Sequence, residues 1–248
     1  MSITILLADD HNVVRQGLRA ILDREPDFTV VGEAVEGFEA VRLAERLRPD
    51  VLVVDVLMPG LNGIEVVRQV AERAPATRAL VLSVESDERN IREALTNGAA
   101  GYVVKDAPAS ELIEAVREVA AGKRHLSPAL SELALSAYVK GSQARENDSY
   151  RNLTTREREV LHLAAQGNTN AQIGKRLFIS PRTVEIHRAS LMRKLGLKRL
   201  VDLILYALKR GIVTAEWFSE RPRPAVKESK PKQPKKKRPG LAKHGRRL

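Results

Sequence analysis

Short apolar runs alternate with amphipathic segments along the first half of the chain. Five runs rich in valine, isoleucine and leucine predict strands, and after each run apolar residues recur at helical spacing. The predicted strands are residues 3–7, 29–31, 51–54, 79–82 and 101–104. Because strand and helix alternate strictly, this half is expected to form a doubly wound α/β domain with a parallel sheet.

The third run, residues 51–54, has no polar alternation and ends abruptly on Asp55. A strand that is apolar on both faces is typical of a parallel sheet covered by helices on both sides. Such sheets bind ligands at the carboxyl ends of their strands, so Asp55 stands where chemistry is expected. Taken alone, it also fits an ordinary aspartate that solvates a strand end.

Polar side chains end four of the predicted strands. Asp9 and Asp10 follow the first strand, Asp55 the third, Ser83 the fourth and Lys105 the fifth, so all converge on one edge of the sheet. Three crowded carboxylates would repel one another unless a hard cation lay between them. Mg²⁺ accepts carboxylates and leaves room for a phosphate oxygen, while a lysine and a hydroxyl can hold the other phosphoryl oxygens. The set therefore predicts phosphoryl transfer onto a carboxylate.

Each of these residues has an ordinary explanation when taken alone: Asp10 as a helix cap, Ser83 as a turn residue and Lys105 as a surface lysine. Their joint placement, together with Pro59 and Gly63, resembles the receiver domain of bacterial response regulators. A competing interpretation of the same carboxylates is a metal-dependent phosphohydrolase. Sustained turnover of an exogenous phosphomonoester would distinguish that enzyme from a receiver.

The resemblance implies a flavodoxin-like receiver over residues 1–124, with five parallel strands in the order 2-1-3-4-5. Asp55 would accept a phosphoryl group from a histidine of a sensor histidine kinase and lose it again by hydrolysis. Beyond accepting and hydrolysing its own aspartyl phosphate, the chain would not be an enzyme. Asp9, Asp10, Asp55 and the backbone carbonyl of Leu57 would hold Mg²⁺, with Asp9 acting largely through water.

The resemblance also assigns residues that surround the phosphoacceptor. Ser83 and Tyr102 match the switch pair of the family, in which the hydroxyl approaches the phosphoryl group and the aromatic ring turns inward. Leu57 and Glu85 match positions that tune hydrolysis of the aspartyl phosphate. The chain departs from the family at Asp106, which stands where relatives have proline, and this weakens the expectation of a cis peptide bond.

Composition narrows the class of protein further. Hydrophobic residues make up 43% of the chain and charged residues 29%, as in ordinary globular proteins. The chain has no cysteine, which favours a reducing compartment. Its N-terminus does not resemble a signal peptide, and no apolar run approaches membrane-spanning length. With the family resemblance, these features predict a protein of the bacterial cytoplasm with no membrane partner.

The net charge of +11 is concentrated at the C-terminus. Residues 221–248 contain 12 Lys or Arg and a single acidic residue, Glu228. Residues 1–124 carry 15 basic and 21 acidic side chains, whereas residues 151–220 carry 13 and 6. This asymmetry predicts that only the C-terminal part contacts a polyanion. The Pro- and Lys-rich tail, residues 215–248, is expected to be disordered and to add either salt-sensitive DNA affinity or only solubility.

Helical patterns replace the strand-helix alternation in the second half of the chain. Residues 125–152 are predicted to be a linker with a short helix from Ser127, and residues 153–214 a four-helix domain. Thr154 opens the first of these helices with a capping box. A tight turn at residues 178–180 joins two short helices, as in a helix-turn-helix.

The helix that begins at Pro181 carries an apolar stripe and, opposite it, a basic face. The stripe consists of Val184, His187, Leu191 and Leu195, and the opposite face of Arg182, Ile186, Ala189 and Arg193. An isoleucine between arginines suits the major groove of double-stranded DNA, where it can contact a thymine methyl group. An ordinary basic surface helix explains the spacing equally well.

A second resemblance decides between these interpretations. Residues 153–161, 167–173 and 180–195 resemble the LuxR-type DNA-binding domain, so the chain to about residue 214 is similar to NarL/FixJ-class response regulators. The resemblance places base-reading side chains at Glu185, Ile186 and Ala189. It places contacts with the DNA phosphates at Arg182, Thr183 and Arg188, and Arg193 lies on the same face of the helix. It also implies a dimer contact at Val201, Ile204 and Leu205. Many relatives have lysine where Glu185 and Ala189 stand, so base preference is not carried over. Glu185 could instead accept from a cytosine amine.

The leading hypothesis is a phosphorylation-controlled transcription factor. Phosphorylation of Asp55 would shift a receiver equilibrium, free the C-terminal domain and favour dimers on DNA. Its partners would be double-stranded DNA, the sensor histidine kinase, a second copy of the chain and RNA polymerase. The alternative is a nucleoid-like DNA-binding protein that works without phosphorylation and uses its receiver for dimerisation.

Overall fold

A computed structural model describes residues 2–84, 88–130, 148–214 and 217. The first domain alternates strands and helices: β1 (Ile3–Ala8), α1 (Asn12–Leu22), β2 (Phe28–Ala34), α2 (Gly37–Leu47), β3 (Val51–Asp55), α3 (Gly63–Arg73), β4 (Arg78–Ser83), α4 (Glu88–Thr96), β5 (Gly101–Val104), α5 (Ala109–Ala120) and β6 (His125–Leu126). All pairings are parallel, in the order β2-β1-β3-β4-β5-β6. The predicted doubly wound sheet and its strand order are confirmed.

The sheet has one strand more than the five that the sequence predicted. The additional strand, β6, has two residues and pairs with Gly101 and Tyr102 of β5. It lies within the stretch that the sequence assigned to the linker, where two residues are too few to give a periodic signal. A 3₁₀ turn, Pro128–Leu130, follows it where a short helix was predicted.

The centre of the sheet is β3, which is buried along its whole length. Its side chains alternate between two hydrophobic cores. Leu52 and Val54 belong to the core on one side of the sheet, and Val51 and Val53 to the core on the other. This two-sided burial explains the unbroken apolar run and carries Asp55 to the carboxyl edge of the sheet.

The loop between β3 and α3, residues 56–62, returns close to its own start. The N–H of Gly63 donates to the carbonyl of Val56 at 2.8 Å, and a Cβ atom on Gly63 would lie 2.0 Å from the carbonyl oxygen of Asp55. Only glycine permits this approach. Asn62 then caps α3, since its side chain accepts from the N–H of Glu65 at 3.0 Å, as the sequence predicted.

The second domain is entirely helical over the residues described. A 3₁₀ turn, Ser149–Asn152, leads into α6 (Thr155–Ala165), α7 (Asn170–Leu177), α8 (Pro181–Leu195) and α9 (Leu200–Lys209). The predicted capping box of Thr154 and Glu157 is present, and Ser180 caps α8. The sequence alone favours Asn170 as the cap of α7, but Thr169 forms the cap with Gln172, and Asn170 is the first helical residue.

Several sequence-based predictions fall outside the described residues. These are the assignment of Glu85, most of the predicted linker and nearly all of the basic tail. In the part of the chain that the structure describes, no peptide bond is cis, including the one before Asp106. No helix among these residues has the length and apolar character needed to span a bilayer.

Candidate functional site

Four side chains from two strand ends come together at the carboxyl edge of the sheet. Ligand atoms of Asp9, Asp10, His11 and Asp55 all lie within 4.8 Å of one another. Asp9 and Asp55 are almost completely buried. The predicted convergence of these aspartates is therefore observed. His11 was not predicted as part of the group, although its position directly after the two aspartates was a usable signal.

Lys105 reaches the same group from the end of β5. Its Nζ lies 2.7 Å from Asp9 Oδ2 and 2.9 Å from Asp55 Oδ2. We refer to Asp9, Asp10, Asp55 and Lys105 as the phosphoacceptor cluster, after the role that the sequence predicts for Asp55. Three carboxylates face a single lysine, so at neutral pH the cluster has an excess of negative charge when all of its groups are ionised.

The pKa values of the cluster reflect this imbalance. Burial raises the pKa of Asp55 to about 6, because Lys105 offsets only part of the cost of an ionised carboxylate there. Burial also raises the pKa of Asp10. Burial disfavours the charged form of Lys105, but Asp55 and Asp9 outweigh it and raise the pKa of the lysine. The cluster would gain from one additional cation.

One oxygen atom marks where such a cation would bind. Asp10 Oδ1 is buried and accepts no hydrogen bond from the described residues; His11 Nδ1, 3.0 Å away, is outside hydrogen-bonding geometry. Carboxylate oxygens are the ligands of hard divalent cations, so the donor set fits one. Leu57, whose carbonyl the family resemblance assigned to the same ion, lies in the loop two residues after Asp55.

The predicted switch pair lies beside the cluster. Ser83 is buried at the end of β4, where it pairs with Val104 of β5. Tyr102 is also on β5 and is completely buried, with its ring in the hydrophobic core. The ring therefore lies inside the domain.

The predicted DNA-reading face of α8, which contains Arg182, Glu185 and Ile186, is exposed. Val184 and Leu191 are completely buried, whereas Ile186 is 58% exposed and Arg182 and Glu185 are exposed beside it. Arg182 pairs with Glu185 at 2.7 Å, so Glu185 can accept from a base only if this pair opens or is shared. Of the remaining predicted contacts, Ala189 and Arg193 are exposed, while Thr183 and Arg188 are half-buried.

The predicted dimer contact is exposed on α9. Val201 is 57% exposed and Leu205 is 50% exposed, while Ile204 is half-buried. These apolar side chains share one face of the helix, and Leu203 and Ala207 on the other face are buried in the domain core.

The two domains pack through a polar face of α6. The sequence pattern did not indicate this contact. Glu65 and Arg68 of α3 meet Arg158 and His162 of α6, and we call these four residues the interdomain cluster. Arg68 donates three hydrogen bonds to the Glu65 carboxylate, and Arg158 Nη1 lies 3.5 Å from Glu65 Oε2. Burial disfavours the Glu65 charge, but the two arginines outweigh burial and lower its pKa.

His162 is completely buried between the domains. Its Nδ1 accepts from the N–H of Asn62 at 3.5 Å, and its Nε2 lies 3.2 Å from the Tyr150 hydroxyl. Burial lowers the pKa of His162 to about 4, so the ring is neutral at neutral pH. A neutral ring is required here, because a proton on Nδ1 would face the N–H of Asn62.

Comparison with known proteins agrees with both halves of this description. The model of the response regulator receiver domain matches residues 5–117, and that of the bacterial regulatory proteins of the luxR family matches residues 151–207. Over 84% of its length, the chain is 39% identical to the nitrate/nitrite response regulator NarL of Escherichia coli (strain K12), of which it covers 96%. The chain belongs to the NarL/FixJ family of two-component response regulators. It is therefore a DNA-binding transcription factor.

Other members of the family support the same assignment. The oxygen regulatory protein NreC of Staphylococcus carnosus (strain TM300) is 39% identical over 84% of this chain and 98% of its own. A LuxR-family response regulator from Aurantimonas sp. SI85-9A1 aligns with a TM-score of 0.54 and 34% identity, over 56% of this chain and 99% of its own. The RcsB–DNA complex aligns with a TM-score of 0.53 and 26% identity, over 85% of this chain and 99% of its own.

Proposed function

We propose that this response regulator accepts a phosphoryl group on Asp55 from a sensor histidine kinase and then binds promoter DNA as a dimer. The observation that carries the proposal is the phosphoacceptor cluster, in which a buried nucleophile, two further carboxylates and a lysine converge. In the transfer, the bond between phosphorus and the histidine nitrogen breaks, and a bond between phosphorus and an Asp55 oxygen forms. Hydrolysis of this acyl phosphate by water ends the signal, and the chain catalyses no other reaction.

Asp9, Asp10, Asp55 and the carbonyl of Leu57 would hold Mg²⁺. When bound, the ion neutralises charge on the phosphoryl oxygens during transfer. Side chains of the protein would bind the other phosphoryl oxygens. Lys105 donates to a phosphoryl oxygen in place of its present partner Asp55, and the Ser83 hydroxyl donates to another. The buried position of Asp55 limits the access of water to its phosphorylated form.

The second domain would read DNA through α8. Glu185, Ile186 and Ala189 would face the bases, and Arg182, Thr183, Arg188 and Arg193 would face the backbone. Val201, Ile204 and Leu205 would pair the two copies, as their exposed apolar face suggests. RNA polymerase would be a further partner, and the site of action would be the bacterial cytoplasm. The RcsB–DNA complex supports this proposal by analogy.

One observation favours the alternative function as well. The receiver packs on α6, and the reading face of α8 stays exposed while the domains are in contact. Among the described residues, the receiver therefore does not block access of DNA to α8 in the unphosphorylated chain. In that case the protein would act as a nucleoid-like DNA-binding protein, with the receiver serving only for dimerisation.

The experiment that separates the two functions uses a small phosphodonor with Mg²⁺. We expect mass spectrometry to find the phosphoryl group on Asp55. We also expect phosphorylation to promote dimers and to raise DNA affinity by about 5- to 150-fold, the usual range of allosteric coupling. The control Asp55→Asn should show none of these changes. Unchanged oligomerisation and DNA affinity in the phosphorylated wild type would favour the alternative.

A further inference from the structure

The second domain holds the loop that follows the phosphoacceptor. The amide side chain of Gln166, at the end of α6, forms two hydrogen bonds with one residue of this loop. Its Oε1 accepts from the N–H of Gly60 at 3.1 Å, and its Nε2 donates to the carbonyl of Gly60 at 3.2 Å. Both bonds are buried, so water does not substitute for them easily.

Two further contacts hold the same loop at its end. The N–H of Asn62 donates to His162, and the side chain of Asn62 donates to the carbonyl of Gly211 at 3.4 Å. Within the receiver, the carbonyl of Pro59 accepts from Gly37 at 2.9 Å. The loop is therefore fixed from the receiver on one side and from the second domain on the other.

The loop is connected directly to the reacting group. It starts at the residue after Asp55, contains Leu57, and ends where Gly63 packs against the carbonyl of Asp55. Asp55 is only 5% exposed and Asp9 only 1%. A phosphoryl group bonded to Asp55 would therefore lie directly beside this loop. Because residues 56–62 run from Asp55 to Gly63, contacts that fix this loop also bear on the position of Asp55.

We infer that Gln166 is a positioning residue for the reaction at Asp55: by clamping Gly60, it holds residues 56–62 in the arrangement of the unphosphorylated chain. The inference rests on the proposed function of Asp55 and goes beyond it, since it names a side chain of the DNA-binding domain that controls the phosphoacceptor. Coupling of this kind is reciprocal. Phosphorylation must release the clamp, and loss of the clamp must favour phosphorylation.

The direct test replaces Gln166 by methionine, which keeps the volume of the side chain and removes both hydrogen bonds. With a small phosphodonor and Mg²⁺, we expect full-length Gln166→Met to be phosphorylated about tenfold faster than the wild type, a factor that corresponds to ~1.4 kcal/mol. Gln166→Glu keeps the acceptor for the Gly60 N–H and loses the donor to its carbonyl. It places a carboxylate oxygen against that carbonyl, so its rate should also exceed that of the wild type.

The matched control is Thr155→Val. It removes a different interdomain hydrogen bond, the one that Arg68 donates to Thr155 at 3.1 Å, and leaves the loop contacts in place. We expect it to keep the wild-type rate. Circular dichroism and specific DNA binding would show that each variant is folded.

Hydrogen exchange supplies a readout that a purely structural role would not move. In the wild type, the amides of Gly60 and Asn62 should be protected and should lose protection on phosphorylation. In Gln166→Met, the Gly60 amide should exchange quickly before any phosphodonor is added.

Three results would overturn the inference: equal phosphorylation rates in Gln166→Met and the wild type, equal acceleration by Thr155→Val, or unchanged protection of Gly60. If the wild type itself takes up no phosphoryl group, the proposed function of Asp55 fails as well, so the two failures are distinguishable.

Discussion

The phosphoacceptor cluster and the interdomain cluster both bury charged groups, but they balance them differently. In the phosphoacceptor cluster, three carboxylates share one lysine, and the pKa of Asp55 is raised to about 6. In the interdomain cluster, Glu65 is held by two arginines, and its pKa is lowered.

The phosphoacceptor cluster has uncompensated negative charge and would be stabilised by a bound cation. The charges of the interdomain cluster already compensate one another. An added cation stabilises the folded state where a buried carboxylate is disfavoured in its charged form. Where a buried carboxylate is already paired, removal of one partner destabilises the folded state. Stability measurements can therefore distinguish the two clusters without any assay of activity.

The largest effect is expected from the balanced cluster. Glu65→Gln removes the buried carboxylate that Arg68 and Arg158 share, and we expect it to lower the free energy of unfolding by about 3 kcal/mol. Chemical denaturation at neutral pH measures this value. Glu72→Gln is the matched control, because Glu72 also pairs with Arg68 but its side chain is 56% exposed. The control should lose less than about 0.5 kcal/mol. Equal losses would show that burial of the pair is unimportant.

An effect of opposite sign is expected at Asp55. Its folded-state pKa is raised from 3.8 to about 6, so the stability of the folded state falls as pH rises through this window. Without divalent cations at slightly alkaline pH, Asp55→Asn should therefore raise the free energy of unfolding by about 2 kcal/mol. Adding Mg²⁺ should stabilise the wild type more than the variant. A variant less stable than the wild type in metal-free buffer would contradict the assigned imbalance.

A smaller, pH-dependent effect is expected at the domain interface. His162 is surrounded by Glu65, Arg68 and Arg158 and by the Tyr150 hydroxyl, and burial lowers its pKa from 6.5 to about 4. The separated domains would bind a proton in this window and the docked chain would not, so docking should weaken as pH falls from 6.5 towards 4. At about pH 5.5 the loss should reach ~1 kcal/mol.

Hydrogen exchange of the Asn62 amide would report this pH dependence. The control is His162→Gln, whose side chain does not titrate. In this variant Asp55 can still titrate, but the exchange of the Asn62 amide should no longer depend on pH. Docking that is independent of pH in the wild type would show that His162 does not become accessible when the domains separate.

The two clusters also differ in how far the sequence predicts them. Asp9, Asp55 and Lys105 each follow an apolar run, and the rule that parallel strands end at one edge is enough to bring them together. His162 and Gln166 lie on a helix whose polar residues resemble an ordinary solvated face. Their partners in the receiver are 100 and 106 residues away, and no periodicity links positions on two independently folded domains.

The same limit applies to details of the fold. The order of the five main strands follows from alternation and family resemblance, whereas β6 has only two residues and pairs at the sheet edge. The reading face of α8 follows from helical spacing, because Val184 and Leu191 fix which side is buried. The receiver covers α6 and leaves this face of α8 open. This arrangement depends on contacts between the domains, and the sequence pattern within one domain does not predict them.

We propose that phosphorylation of Asp55 controls where this protein binds DNA. The most direct measurement is a pair of genome-wide footprints, one of the wild type and one of Asp55→Asn, in cells whose sensor histidine kinase is active. We predict that promoter footprints of the wild type weaken or disappear in Asp55→Asn, at equal protein levels. Two coinciding maps would contradict the claim and would favour a DNA-binding protein that acts without phosphorylation.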